Sequence, residues 1–231
     1  MAVSVDRVYQ TVLALANKEQ RGYITPQEFN LFANYAQSEI FEQYFYDLNQ
    51  FRRIPGNSTV TSDPRDIIEE KISMFRVSNH VYESQLEDSV YRLESVRYKD
   101  ASTGVVYAAE EVSKREYDLY HTSPLMTPKI NRPIFYRSNS TIYGSPQGAY
   151  SETHIDYIRK PAAPNWTYTV VQGNALANPS ALDYRDFELH RSEEKNLIVK
   201  ILQLAGISIK DYNIAQMAGQ KEVNSIQQEK S

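Results

Sequence analysis

Apolar residues recur at helical spacing at both ends of the chain and at strand spacing between them. Near the N-terminus Val5, Val8, Val12 and Ala16 share one helical face, widened by Tyr9 and Leu13. Ser4 is a good N-cap for this helix. Gly22 predicts its stop, because glycine accepts the left-handed backbone that helix ends often need. A longer stripe follows. Phe29, Phe32, Ala33, Ala36, Ile40, Tyr44, Leu48 and Phe51 predict a helix over 26–51. Its start is the strongest local signal in the chain. Thr25-Pro26-Gln27-Glu28 joins a capping hydroxyl, a proline at the first helical position and a carboxylate three residues after the cap. Phe41 and Phe45 lie off the main stripe, so this helix should pack on two neighbours, from its own chain or from another subunit. Arg52, Arg53 and the run Pro55-Gly56-Asn57-Ser58 break the pattern. Asp63-Pro64-Arg65-Asp66 repeats the cap-and-proline signature, and Ile67, Ile68, Ile72 and Phe75 predict a short third helix.

From about residue 77 short runs rich in Tyr, Val and Ile alternate with turn residues. Strands are expected at 81–83, 90–98 and 105–107, with a turn over 100–104. Ser113-Lys114-Arg115-Glu116 is a second capping box and opens a short helix through Tyr120. Pro124 and Pro128 mark an extended loop. Runs at 134–136, 141–143 and 154–158 predict a small meander. Helical spacing returns near Ser192, with Leu197, Ile198, Ile201, Leu202 and Ala205 as the stripe and Gly206 as the expected stop. Glu193 and Glu194 fall in the first turn, where the helix dipole favours anions. A weaker helix is expected over 209–227, ending in a polar tail. The order helices, strands, helices predicts an α+β fold. The N- and C-terminal helices should form one helical domain with a β-rich insertion. The expected divisions are 1–76, 77–188 and 189–231, the last packing back on the first.

Composition narrows the function classes. The chain has 231 residues, 41% hydrophobic and 23% charged, enough for a substantial core. A net charge of -4 argues against a protein held mainly by nucleic-acid phosphates. No cysteine is present, which removes disulfides, thiolate metal sites and cysteine nucleophiles. No signal peptide and no membrane span are expected. Tyrosine is abundant, 18 residues against a single tryptophan, which suits half-buried strands and wet protein interfaces.

Catalytic patterns are not evident. His80, His121, His154 and His190 share no metal-ligand spacing. No glycine loop that could cradle phosphate and no nucleophile elbow occurs. Glu69-Glu70, Glu110-Glu111 and Glu193-Glu194 are adjacent pairs whose side chains diverge, and all three read as solvated. Asp47-Leu48-Asn49-Gln50 lacks the glycine and closing glutamate of a calcium loop. The expectation is a protein with no catalytic residues, no cofactor and no metal.

The segments Val8-Tyr9-Gln10, Ala16 through Pro26, Phe29-Asn30 and Glu42 through Asp47 resemble the start of a family of phage virion proteins. Asp156 through Pro161 with Pro164 and Trp166, Asp186 through His190, and Ser192-Glu193-Glu194 are similar to the same family. In layout, helical ends around a β-rich insert resemble the head-to-tail adaptors of short-tailed phages. That resemblance implies a homo-oligomeric ring of about twelve subunits at the head-tail junction of the virion, assembled in the host cytoplasm. Its partners would be the portal protein above and the next tail component, a tail tube or nozzle, below. DNA would pass through the lumen without specific binding, and the net acidity would keep that passage non-adhesive. On this reading Tyr9, Thr25, Phe29, Phe41, Tyr44 and Phe45 serve subunit packing. Ile214, Met217, Gln220, Val223, Ile226, Gln227 and Gln228 contact the portal. Arg52 and Arg53 could touch a neighbour or DNA. Another tail or decoration subunit, or a phage nucleic-acid enzyme, are the alternatives.

Overall fold

A computed structural model describes residues 3–18, 24–53, 62–83, 85–171 and 174–208. The protein has both helices and strands, an α+β chain, arranged as two compact units. One combines 1–71 with 161–231, and the other is Ile72–Lys160.

The first unit is helical. Its elements are α1 (Val5–Lys18), α2 (Pro26–Arg53), most of α3 (Ser62–Ser73) and α5 (Glu194–Ser208), the last led in by a 3-10 turn at Arg191–Glu193. Both N-terminal starts follow the sequence signals. The Val8 amide bonds to the Ser4 carbonyl at 3.2 Å. At α2 the Glu28 amide donates to Thr25 Oγ1 at 3.3 Å, and the Thr25 amide donates back to Glu28 Oε2 at 3.0 Å, a closed capping box. Those bonds hold the Glu28 carboxyl below its ordinary value. The α1 stripe Val5, Val8, Tyr9, Val12 and Ala16 is buried, as are Phe29, Ala33, Ala36, Ile40, Tyr44 and Leu48 of α2 and Leu197, Ile201 and Ala205 of α5. Helix α5 packs on both α1 and α2. It does not stop at Gly206, which is buried inside the helix. A helical glycine costs only about 1 kcal/mol, so buried packing can overrule it.

The segment 161–188 belongs to this unit, although the sequence placed it in the β-rich insertion. It carries the small hairpin β8 (Tyr168–Val171) and β9 (Asn174–Ala177). Its apolar anchors explain the difference. Trp166 is 1% exposed, Phe187 and Leu189 are fully buried, and the Trp166 ring meets Tyr9 at 4.1 Å. Polar clasps from α2 hold the same segment. Asn30 accepts from the Trp166 amide at 2.8 Å and donates to Asn165 Oδ1 at 2.8 Å. The buried Gln37 donates to the Ala162 carbonyl at 2.8 Å and accepts from the Glu188 amide at 3.0 Å. Asp6 accepts from the indole Nε1 at 2.9 Å.

The second unit is a pair of sheets. One has the order β1-β7-β2-β3, formed by β1 (Arg76–Val81), β7 (Tyr150–Arg159), β2 (Val90–Asp100) and β3 (Val106–Ala108), all antiparallel. The other is β4 (Glu110–Glu111), β5 (Ile134–Ser138) and β6 (Thr141–Ser145). The core joins Val96, Tyr98, Ile155 and Tyr157 of the first sheet to Phe135 and Ile142 of the second. The expected meander of three strands is thus divided. β5 and β6 form a hairpin, turned by Asn139 at φ +53, while β7 leaves to sit between β1 and β2. Alternation in β7 buries Ile155 and Tyr157, which need the larger sheet's core face. The turn after β2 is closed by Asp100, which accepts from the Ser102 amide at 2.8 Å and Thr103 Oγ1 at 2.6 Å. Helix α4 (Lys114–Thr122) begins at the Ser113–Glu116 capping box read from the sequence.

Candidate functional site

The residues expected to pack between subunits are mostly interior. Tyr9, Phe29, Phe41, Tyr44 and Phe45 are 2%, 0%, 3%, 4% and 8% exposed within the single chain. Tyr9 packs at a tilt against Phe29 and Trp166, and Phe41 meets Phe45 edge-on at 5.1 Å. They build the chain's own core and leave little surface for a neighbour. Thr25 is exposed and spent as the cap of α2. Arg52 and Arg53 occupy the last turn of α2, and their side chains lie outside the described residues. Ile214, Met217, Gln220, Val223, Ile226, Gln227 and Gln228 also lie outside them.

The surface that α2 does present is a different stripe. Leu31, Tyr35 and Tyr46 are 61%, 68% and 56% exposed. With Ser38 and Glu42 between them they fall at intervals of four, three, four and four residues, one ridge along about 22 Å of helix. From Pro26 to Phe51 the helix carries Glu28, Glu39, Glu42 and Asp47 and no lysine or arginine. The ridge is therefore apolar and acidic together. Its spacing was visible in the sequence, but the stronger buried stripe of the same helix obscured it.

A basic cleft of about 360 Å³ lies between α1 and the start of α5, lined by Arg7, Arg191, Ser192, Glu194, Lys195 and Ile198. Arg7 Nε pairs with Glu194 Oε1 at 2.8 Å. Arg191 and Lys195 are exposed and have no carboxylate partner among the described residues.

Beneath the 3-10 turn is a buried charge. Glu193, expected to be solvated, is 3% exposed. Lys71 Nζ donates to its Oε1 at 2.6 Å and Asn196 Nδ2 to its Oε2 at 2.8 Å. Lys71 also sits over the Tyr44 ring at 5.6 Å. Burial, then the Glu193 charge, pushes the Tyr44 phenol far above its ordinary range. The reversal arises because the 3-10 turn rotates Glu193 inward, a geometry that adjacency in sequence does not encode. Glu194 is half-buried beside Arg7, whereas Glu110 and Glu111 are exposed.

In the second unit His121 lies 2.8 Å from Ser145 Oγ through Nε2 and 2.7 Å from the Tyr117 carbonyl through Nδ1. A carbonyl only accepts, so Nδ1 carries a proton, and in the neutral ring Nε2 then accepts from the serine. This is the proton arrangement of a serine–histidine pair. Ser145 is 3% exposed, however, so a substrate has no approach to its oxygen. The pair fastens α4, which has no buried residue of its own, to β6. Tyr117 adds a contact to Tyr136 at 4.7 Å, and Tyr136 stacks on Tyr143 at 4.8 Å. Among the described residues no cluster of three or more His, Asp or Glu could hold a metal ion. No described helix is long and apolar enough to cross a membrane. No family model matches the chain, and no match was found among curated proteins.

Proposed function

We propose that the protein is a structural component of a tailed-phage virion, a head-to-tail adaptor that forms a ring beneath the portal and joins the capsid to the tail. The reading starts from the resemblance of the segments around Tyr9, Thr25, Tyr44 and Trp166 to virion proteins. The observation that carries it physically is the outer ridge of α2. Leu31, Tyr35 and Tyr46 stand in solvent on one line of a long helix, and exposed tyrosine set among polar residues in this way is favoured at protein contacts. The reading assigns the protein a mechanical role, with no catalytic group. Copies would dock on a filled capsid, the residues 209–231 would engage the portal, and a net charge of -4 per copy would keep passing DNA from adhering.

The test is capture of the portal protein encoded by the same genome, using the full chain and a chain ending after Ile207. Binding by the full chain and its loss on truncation is the expected result. Equal binding by both keeps the adaptor reading but moves the contact off the tail. Virion association with no portal binding by either chain would replace the adaptor with a tail or decoration subunit.

A further inference from the structure

We infer that the α2 ridge of one copy seats in the Arg7–Arg191–Lys195 cleft of the next, so that copies associate head to tail through the helical unit. This rests on the homo-oligomer of the proposed function and names the two surfaces that would build it. Three observations lead there.

The first is charge. The ridge offers Glu42, exposed and without a partner among the described residues, between Tyr35 and Tyr46. The cleft offers Arg191 and Lys195, equally unpaired. A two-fold contact of ridge on ridge would bring acid against acid on a helix that has no cation before Arg52. Ridge against cleft sets opposite charges together, and complementary charge fixes register and partner.

The second is chemistry of shape. The cleft lining sets the half-buried Ile198 beside the long aliphatic stems of Arg7, Arg191 and Lys195. Tyrosine rings pack on such stems and face guanidinium groups favourably. Tyr35 and Arg191 suit each other in this way.

The third is placement. α5 binds α2 on one flank, where Lys200 Nζ meets Glu39 Oε1 at 3.0 Å. It binds α1 on another, where Arg7 meets Glu194. Ridge and cleft are built by different elements of the helical unit, the ridge by α2 alone and the cleft by α1, the 3-10 turn and the start of α5. Two different patches in contact make a heterologous interface, which closes into a ring or grows open-ended.

The experiment uses the full chain and sedimentation velocity, with circular dichroism to confirm folding. Both test positions are exposed, so Glu42→Arg and Lys195→Glu should fold as the wild type does. Each alone sets like charges across the contact and should weaken assembly roughly a hundredfold. An equimolar mixture of the two variants restores opposite charges at every contact and should reassemble, as should the double variant. Wild-type assembly by both single variants would overturn this interface and leave the homo-oligomer standing on another surface. Singles that fail and are not rescued by mixing would also overturn it. A wild-type chain that stays monomeric at all concentrations would overturn this interface and leave the portal-docked ring to the capture test.

Discussion

The helical unit and the β unit solve the same packing problem by opposite routes. In the helical unit the core is assembled from two distant stretches of chain. Trp166 and Phe187 complete a cavity whose walls are α1 and α2, and Asn30 reaches 136 residues along the chain to the Trp166 carbonyl. The β unit is one continuous stretch, and its core is closed by strands drawn from within Ile72–Lys160. The first depends on long-range closure for its existence, whereas the second carries its core with it. Contacts separated by most of the chain cost more loop entropy to form, so the two units should differ in how they tolerate cutting and in where single substitutions hurt.

The largest effect expected is on excision. Residues 72–160 expressed alone should fold cooperatively, while 1–71 alone should not, because it lacks Trp166, Phe187, Leu189 and α5. Thermal unfolding by circular dichroism reads both. A cooperative transition from 1–71 would break the contrast. Single substitutions sharpen it. Trp166→Ala removes the largest buried side chain of the helical unit and the partner of Tyr9, and should cost about 4 kcal/mol in denaturant unfolding of the full chain. In the β unit the sensitive position is a glycine. A Cβ at Gly144 would collide with the Tyr98 ring, 2.6 Å from Cζ, and Tyr98 is only 5% exposed. Gly144→Ala should cost about 3 kcal/mol and leave the helical unit's transition in place.

The smallest effect is acid dependence in the β unit. Burial of Asp156 opposes its ionisation. Ser95 Oγ at 2.6 Å, the Asn79 amide at 2.7 Å and Arg97 at 2.6 Å outweigh burial and hold the carboxyl below its ordinary value. The group is more acidic folded than unfolded. It therefore contributes stability above the ordinary aspartate value of 3.8, and that contribution fades as the pH falls through the lower folded value. Asp156→Asn should destabilise the unit by about 2 kcal/mol at neutral pH, with the gap to the wild type narrowing in acid. A gap that stays constant with pH would mean that the carboxylate's charge contributes nothing.

What the sequence made legible was local. The cap at Ser4, the Thr25–Glu28 and Ser113–Glu116 boxes and the stripes of α1, α2 and α5 depend on residues within a turn or two of each other. Their physics is therefore written in adjacent letters. What it hid was closure at a distance. Nothing near Trp166 announces that its indole ends beside Asp6, and nothing near Tyr150 says that β7 leaves its neighbours for β1 and β2. The candidate surface was obscured for a different reason. The buried stripe of α2 explains so many of its apolar residues that Leu31, Tyr35 and Tyr46 pass as exceptions, although they obey a period of their own. Phe41 and Phe45, which predict a second packing face for α2, find it within the chain's own core.

One detail of the β unit has a mechanical consequence. Its first and last long strands, β1 and β7, are paired neighbours, and the Arg159 amide still bonds the Phe75 carbonyl at 2.9 Å where the chain enters and leaves. A pull applied to the far end of this unit is divided between two covalent tethers rooted side by side. Both strands are tensioned in the same sense, so the ladder between them is not sheared, and neither tether has to carry the whole load.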